Sequence, residues 1–408
     1  MKLAALHSRD FRLYWLALII SSMGTWMQIV AQSLLVLQLS HGNATSLGFV
    51  ALAQASAFFL FAPLGGSIAD RIDRRRLLLL TQSVLMLVAF VIGVLIARQM
   101  IHVWMIVFAA FFSGVVLSFD QPARSALLPS LVAEQDLAGA ISLQSTVFTG
   151  TAAIAPVLAG LSIARFGLAG NFFFNAASYL GVIFALLALR STAKIEFRSP
   201  ARMWQSIQEG VETVRGDPAL TRAVSGYALL LFAAPSMQLL LPMLANRVLD
   251  ASAIWLGLLF AAFGIGTIGG ALLIPWVAGF GGIHRIYLGA FAAYACALSI
   301  VAYTHQIGVC LGALLLLGAA QNAISTLTIT LLQSRVAKAM RGRMMSLQTV
   351  LNMGVRPLGD FPLSMLIARL GGPVVAGLSA ALIGAYSIYL ASTSTRNWPA
   401  TVVHEVPK

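Results

Sequence analysis

Twelve stretches of about 20 apolar residues, parted by short polar turns, run the length of this chain. A segment of that length crosses the roughly 30 Å hydrocarbon core of a bilayer as a helix, with every backbone polar group bonded internally. The stretches are 13–39, 47–69, 77–97, 103–119, 138–164 and 171–189, then 223–245, 254–277, 286–303, 307–332, 344–368 and 374–391. Hydrophobic residues make up 59% of the 408 and charged residues only 10%, against about 45–50% and about 25% in soluble domains. That excludes an ordinary soluble fold, and equally a disordered chain, which would be charge-rich. The expected fold class is an all-α integral membrane protein with twelve transmembrane helices. The first run is too long for the core of a signal peptide, so it is expected to remain as the first span.

The charges have a side. Of 26 Lys and Arg, 21 fall in the loops and ends that share a face with both termini, 4 fall on the other face, and Arg356 lies inside a span. Cytoplasmic loops collect Lys and Arg, so both termini are expected in the cytoplasm, at a bacterial inner membrane. The same rule accounts for the net charge of +13, and no nucleic-acid partner is expected. Cys296 and Cys310 sit in apolar runs with no metal spacing. The six histidines lie in loops or at segment ends, and neither a nucleophile with its base nor a Walker-type loop occurs. Neither an enzyme nor a metal or cofactor is expected.

Shifting the chain by half its length, 204 residues, lays Leu143-Gln144 on Leu347-Gln348, Gly150 on Gly354 and Gly167 on Gly371. It also lays Ile163-Ala164-Arg165 on Ile367-Ala368-Arg369 and Gly65-Gly66 on Gly269-Gly270. Two parallel six-helix bundles related by pseudo-symmetry follow, the build of a rocking-bundle transporter. The expected division is 1–190 for the N-terminal bundle, 191–222 for a cytoplasmic linker and 223–408 for the C-terminal bundle. Within the linker, Trp204, Ile207, Val211 and Val214 share one helical face, which is expected to lie on the inner membrane surface.

Between spans two and three the chain reads Gly66-Ser67-Ile68-Ala69-Asp70-Arg71-Ile72-Asp73-Arg74-Arg75-Arg76. This resembles the G-x-L-A-D-R-x-G-R-R signature of the major facilitator superfamily, with Asp73 in place of the second glycine. The run Asp120-Gln121-Pro122-Ala123-Arg124, the run Arg341-Gly342-Arg343 and the opening Phe11-Arg12-Leu13-Tyr14-Trp15 complete the likeness. Together they resemble the bacterial branch that holds the enterobactin exporter and the macrolide efflux pumps. The resemblance implies the major facilitator fold and export of small molecules. It also implies that Gly66, Asp70, Arg71, Arg74 and Arg75 form a conformational latch reaching toward span eleven. Gly150, Pro156 and Gly160 in span five are similar to the superfamily's antiporter element, with alanines at two of its glycine positions. The arginine that many drug–proton antiporters carry in span four is missing from Ala109–Gly114.

Only one acid, Asp360, is expected well inside a span, four residues after Arg356. Charges at that depth are costly and face a bundle interior or an aqueous cavity. The i,i+4 spacing brings the pair together. Pro357 frees the carbonyl of Met353, and Pro362 that of Leu358. Two readings stand: an ion pair that locks the helix, or a site in which Arg356 holds substrate and Asp360 carries a proton. Polar stripes add Thr25, Gln28 and Gln32 on span one, Asn322 on span ten and Asn352 on span eleven. They fit either interhelical hydrogen bonds or a substrate cavity.

The expectation is a proton-coupled exporter of a small amphipathic molecule, drug-like or siderophore-like, acting as a monomer. Its partners would be that small-molecule substrate and the lipid bilayer. The alternative is a facilitator-type importer of a small nutrient.

Overall fold

Gly167 and Gly371, which the half-length shift superposes, both adopt left-handed backbone angles, with φ of 68° and 89°. An L side chain is strained there and glycine is not. Each turns the chain between the last two spans of its half. The computed structural model describes residues 3–69, 71–190, 203–248, 253–277, 282–336 and 340–392. Packing divides the chain into two compact units, Met1–Pro200 with Ala251–Ala261, and Ala201–Asp250 with Ala262–Lys408.

The first unit holds α1 (Arg9–Leu39), α2 (Ala44–Ala69), α3 (Arg74–Ala97), α4 (Val103–Leu127) and α5 (Leu137–Ala188). Gly167 divides α5 into two crossings. Helix α1 packs along α5, α2 along α4, and α3 against both α4 and α5. Phe11, Tyr14, Leu78, Leu127 and Leu186 centre its buried core. The second unit begins with α6 (Met203–Gly216), α7 (Pro218–Ala233) and α8 (Met237–Val248), and α9 (Ala253–Val277) enters it after Ala261. It continues through α10 (Ile283–Tyr303), α11 (Ile307–Ser334), α12 (Arg341–Val350), a π turn (Leu351–Val355), α13 (Arg356–Leu370) and α14 (Gly372–Ser392). Helix α10 packs on α11 and α14, and α13 on α7.

Ten helical segments among the described residues are long and apolar enough to cross a bilayer. One of them, Glu134–Ala188, is the pair joined at Gly167, and α12 with α13 forms a further span interrupted by its π turn. Twelve spans result, as the sequence predicts. Leu60, Phe108 and Ile388 are among many large apolar side chains left exposed, an exterior suited to lipid.

Backbone approach sets the helix pairs. A methyl group at Gly65 would strike the carbonyl of Ser118, and one at Gly114 that of Gln54, so α2 and α4 touch reciprocally. In the second unit Gly266 and Gly270 meet the carbonyls of Leu315 and Ala319, while Gly318 meets that of Phe263. Small residues at such crossings let helices pack closely where no hydrophobic force separates helix from lipid.

Two expectations change. Span four does not end at residue 119: α4 runs on to Leu127 through Pro122, and Asp120 lies buried within it rather than in a loop. Helix α6 forms where the sequence predicts, but its described face rests on protein. Gly210 lies over Met344, Val214 is buried, and Glu209 pairs with Arg343 of α12. Trp204 and Ile207 have side chains outside the described set, as does the linker 191–202.

Candidate functional site

Span seven is discontinuous. Helix α7 ends at Ala233, and α8 restarts after Ser236, whose carbonyl accepts from the backbone of Leu239 (3.0 Å) and Leu240 (2.8 Å). The freed N–H of Ser236 donates to Asp360 Oδ1 at 2.8 Å. Helix N-termini carry unsatisfied donors and a positive dipole end, and a carboxylate answers both. Asp360 is 5% exposed. Beside it, Gly359 presses on the backbone of Phe232, the last turn of α7. Span eleven is broken as well. Pro357 has no N–H to return to Met353, and the chain widens into the π turn just before it.

The expected pairing of Arg356 with Asp360 does not form. Among the described residues no contact ion pair joins them: Arg356 is half-buried, and the two charges act on each other only from beyond 4 Å. The physical reason is the competing donor: the α8 terminus holds the carboxylate. In the same unit several polar atoms are buried with no hydrogen-bond partner: Tyr294 Oη on α10, Gln321 Oε1 and Asn322 Nδ2 on α11, and Gln348 Oε1 on α12. Tyr294 lies within electrostatic reach of both Arg356 and Asp360. Asn352 is anchored: its Oδ1 accepts from Tyr227 Oη (2.7 Å), its Nδ2 donates to the Gln348 carbonyl (3.0 Å), and Ser325 Oγ donates to Tyr227 Oη (3.2 Å). Ser325 stands beside Gln321, Asn322 and Thr326 in a polar stretch of span ten, whereas nothing in the sequence sets Tyr227 or Tyr294 apart as site residues.

The first unit's stripe is mostly self-satisfied. Thr25 Oγ1 donates to the Ser21 carbonyl at 2.9 Å, and Gln28 Oε1 accepts from Asn175 Nδ2 at 2.6 Å. Gln32 is half-buried. The polar centre of this unit lies elsewhere, at Asp120. Its carboxylate accepts from Thr81 Oγ1 and Gln82 Nε2, each at 2.7 Å, and pairs with Arg124 one turn along.

Of the latch residues, Asp70 lies outside the described residues, and Arg71 is exposed. Arg74 donates to the Ala126 carbonyl (3.2 Å), and Arg75 donates to those of Leu187 (2.7 Å) and Leu189 (3.2 Å), so both cap helix C-terminal ends of the first unit. Asp73, the departure from the signature, is the N-cap of α3 and accepts from Arg76 N at 2.9 Å. A methyl group on Gly66 or on Gly150 would meet nothing. Gly160 is different: a Cβ there would lie 2.6 Å from the Ala253 carbonyl, and Gly257 abuts the carbonyl of Pro156. Pro156 and Gly160 thus form a reciprocal small-residue seam with the first turn of α9.

The chain is a transporter of the major facilitator superfamily, by a family match that agrees with its twelve spans. The chain belongs to the transmembrane secretion effector family, whose model matches residues 1–364. It is 28% identical over 393 residues to the enterobactin exporter EntS of Escherichia coli O1:K1 / APEC, covering 92% of this chain and 88% of that one. It is 25% identical over 346 residues to the staphyloferrin A transporter of Staphylococcus aureus (strain NCTC 8325 / PS 47), covering 84% and 86%. A bacterial homologue of the iron transporter ferroportin in its inward-facing state has the same fold, with a TM-score of 0.74 at 20% identity over 94% of this chain and 99% of that one.

Proposed function

We propose that the chain exports a small amphipathic molecule, siderophore-like, from the cytoplasm across the bacterial inner membrane, driven by protons. Both termini lie in the cytoplasm, and the halves 1–190 and 223–408 alternate about the substrate. The observation that carries this reading is Asp360, a buried carboxylate that joins two broken helices through Ser236, whose backbone N–H donates to it. Protonation removes the charge that holds the α8 terminus and loosens spans seven and eleven together. Deprotonation restores the clasp. Arg356, Asn322 and Asn352 of the second unit and Thr25, Gln28 and Gln32 of the first are the substrate-binding residues in this scheme. Asp70, with Arg71, Arg74 and Arg75, latches one state at the cytoplasmic loop. The direction of transport rests on the relatives, whose names are those of a siderophore exporter and a siderophore transporter.

Comparative metabolite profiling of cells with and without the gene tests direction. Export leaves one compound retained inside the deletion strain, whereas a compound left in the medium identifies an importer. With that compound in proteoliposomes, Asp360→Asn is expected to insert and bind but to lose the dependence of transport on a pH gradient. Gradient-driven transport by this variant ends the coupling scheme.

A further inference from the structure

Arg356 poses an electrostatic problem that the fold leaves open. A guanidinium at mid-span is costly unless it is paired. Its neighbour Asp360 is turned to Ser236, and no other acid among the described residues pairs with it.

The depth of the neighbouring groups follows from the Tyr227 bridge, which ties Ser325 of α11 to Asn352 of span eleven. These two spans run antiparallel. One turn back from Ser325 reaches Gln321 and Asn322, and one turn on from Asn352 reaches Arg356. Both steps lead toward the same end of the unit, the first through an α turn and the second through the π turn. The orphaned Gln321 Oε1 and Asn322 Nδ2 therefore lie on the same side of the Tyr227 bridge as Arg356. Tyr294, fully buried with its hydroxyl unpartnered, joins them from α10. The groups left over are a forked cation, an amide N–H donor, an amide acceptor and a phenol. A guanidinium matches a carboxylate bidentately. An amide carbonyl beside it calls for a hydroxyl or N–H on the same ligand.

We propose that Arg356, with Asn322, Gln321 and Tyr294, forms a subsite for an ionised carboxylate of the transported molecule, one that also carries a hydrogen-bond donor. This rests on the export reading for its place in the transport cycle but not for its chemistry. Asp360 does not close the subsite, because the N-terminus of the 12-residue helix α8 holds its charge. The incoming anion supplies the direct counter-charge contact that Asp360, turned to Ser236, does not make.

The test uses the purified full chain in lipid nanodiscs and three probes of one shape: 4-hydroxybenzoate, its methyl ester and 4-hydroxybenzylamine. Saturation-transfer NMR is expected to detect the anion and to find the ester and the amine at least tenfold weaker. Arg356→Gln should weaken the anion tenfold or more, and Arg356→Lys should recover part of that. Asn322→Leu, a second variant that leaves the charge in place, should weaken it severalfold. Equal binding of the three probes, binding of none, or anion binding indifferent to both Arg356→Gln and Asn322→Leu overturns the assignment. Metabolite profiling separates this from the export reading. A neutral or cationic compound retained by the deletion strain keeps export and ends the carboxylate subsite. Arg356-dependent anion binding with no retained compound keeps the subsite and ends export.

Discussion

Each unit buries an acid and a base four residues apart, and the two pairs behave oppositely. In α4 the acid comes first: Asp120 pairs with Arg124 and also receives Thr81 and Gln82. In span eleven the base comes first: Arg356 and Asp360 do not pair, and the carboxylate turns to Ser236. Helical ion pairs favour the acid on the N-terminal side, because that order suits both side-chain direction and the helix dipole. A closed pair is a fastening, whereas an open one leaves a charge for something else to meet. The half-length shift sharpens the contrast. It lays Arg124 on Thr328, which in the second unit bonds Tyr287 in an uncharged cluster that also reaches the Ala223 carbonyl. The first unit is held by charge where the second is held by hydroxyls.

The largest expected effect lies in the closed pair. Asp120→Asn strands Arg124 and should cost about 3–5 kcal/mol in detergent unfolding. Asp360→Asn should cost far less, since the amide oxygen still accepts from Ser236. Equal losses would erase the distinction. Next come the crossings. Gly318→Ala, driven into the Phe263 carbonyl, should destabilise by about 1–3 kcal/mol, and Gly150→Ala by less than about 0.5 kcal/mol. Reversing the order of the open pair, with Arg356→Asp and Asp360→Arg together, should close it and weaken 4-hydroxybenzoate binding tenfold, about 1.4 kcal/mol. Unchanged binding would show that order does not matter here.

The smallest effects concern the clips at the start of each unit. Ser8 caps α1 and donates to the Leu131 carbonyl at 2.6 Å, while Asp217 caps α7 and pairs with Arg335 at 2.6 Å. Residues 131 and 335 are again 204 apart. Ser8→Ala should cost about 1 kcal/mol whatever the salt. Arg335→Gln should cost about 0–1 kcal/mol and less as salt rises, because that pair is partly exposed.

The spans, their number and the repeat were legible because apolar length and glycine position are written locally. Gly167 and Gly371 carry the repeat in one backbone angle each. The candidate site was half legible. Arg356 and Asp360 stood out as charges in apolar surroundings, but their partners were hidden. Ser236 contributes a backbone N–H, which no side-chain pattern announces, and nothing in the sequence distinguishes Tyr294 from Tyr287 and Tyr303 on the same helix. The order of the two charges was a readable signal that spacing alone concealed. Span four was expected to end at residue 119, where the apolar run meets Asp120, yet α4 continues through Asp120 and Pro122 to Leu127.

The π turn at Leu351–Val355 has a mechanical meaning of its own. It stores one surplus residue in a spanning helix, much as an edge dislocation stores an extra half-plane in a crystal. Such a defect glides by exchanging one hydrogen bond at a time, and each segment it passes through rotates by about 100° without changing length. Gln348 and Asn352 lie on one side of the defect or at its edge, and Arg356 and Asp360 on the other. One residue of glide toward the C-terminus would pass Arg356 and swing that side chain relative to Asp360, with both ends of the helix still anchored.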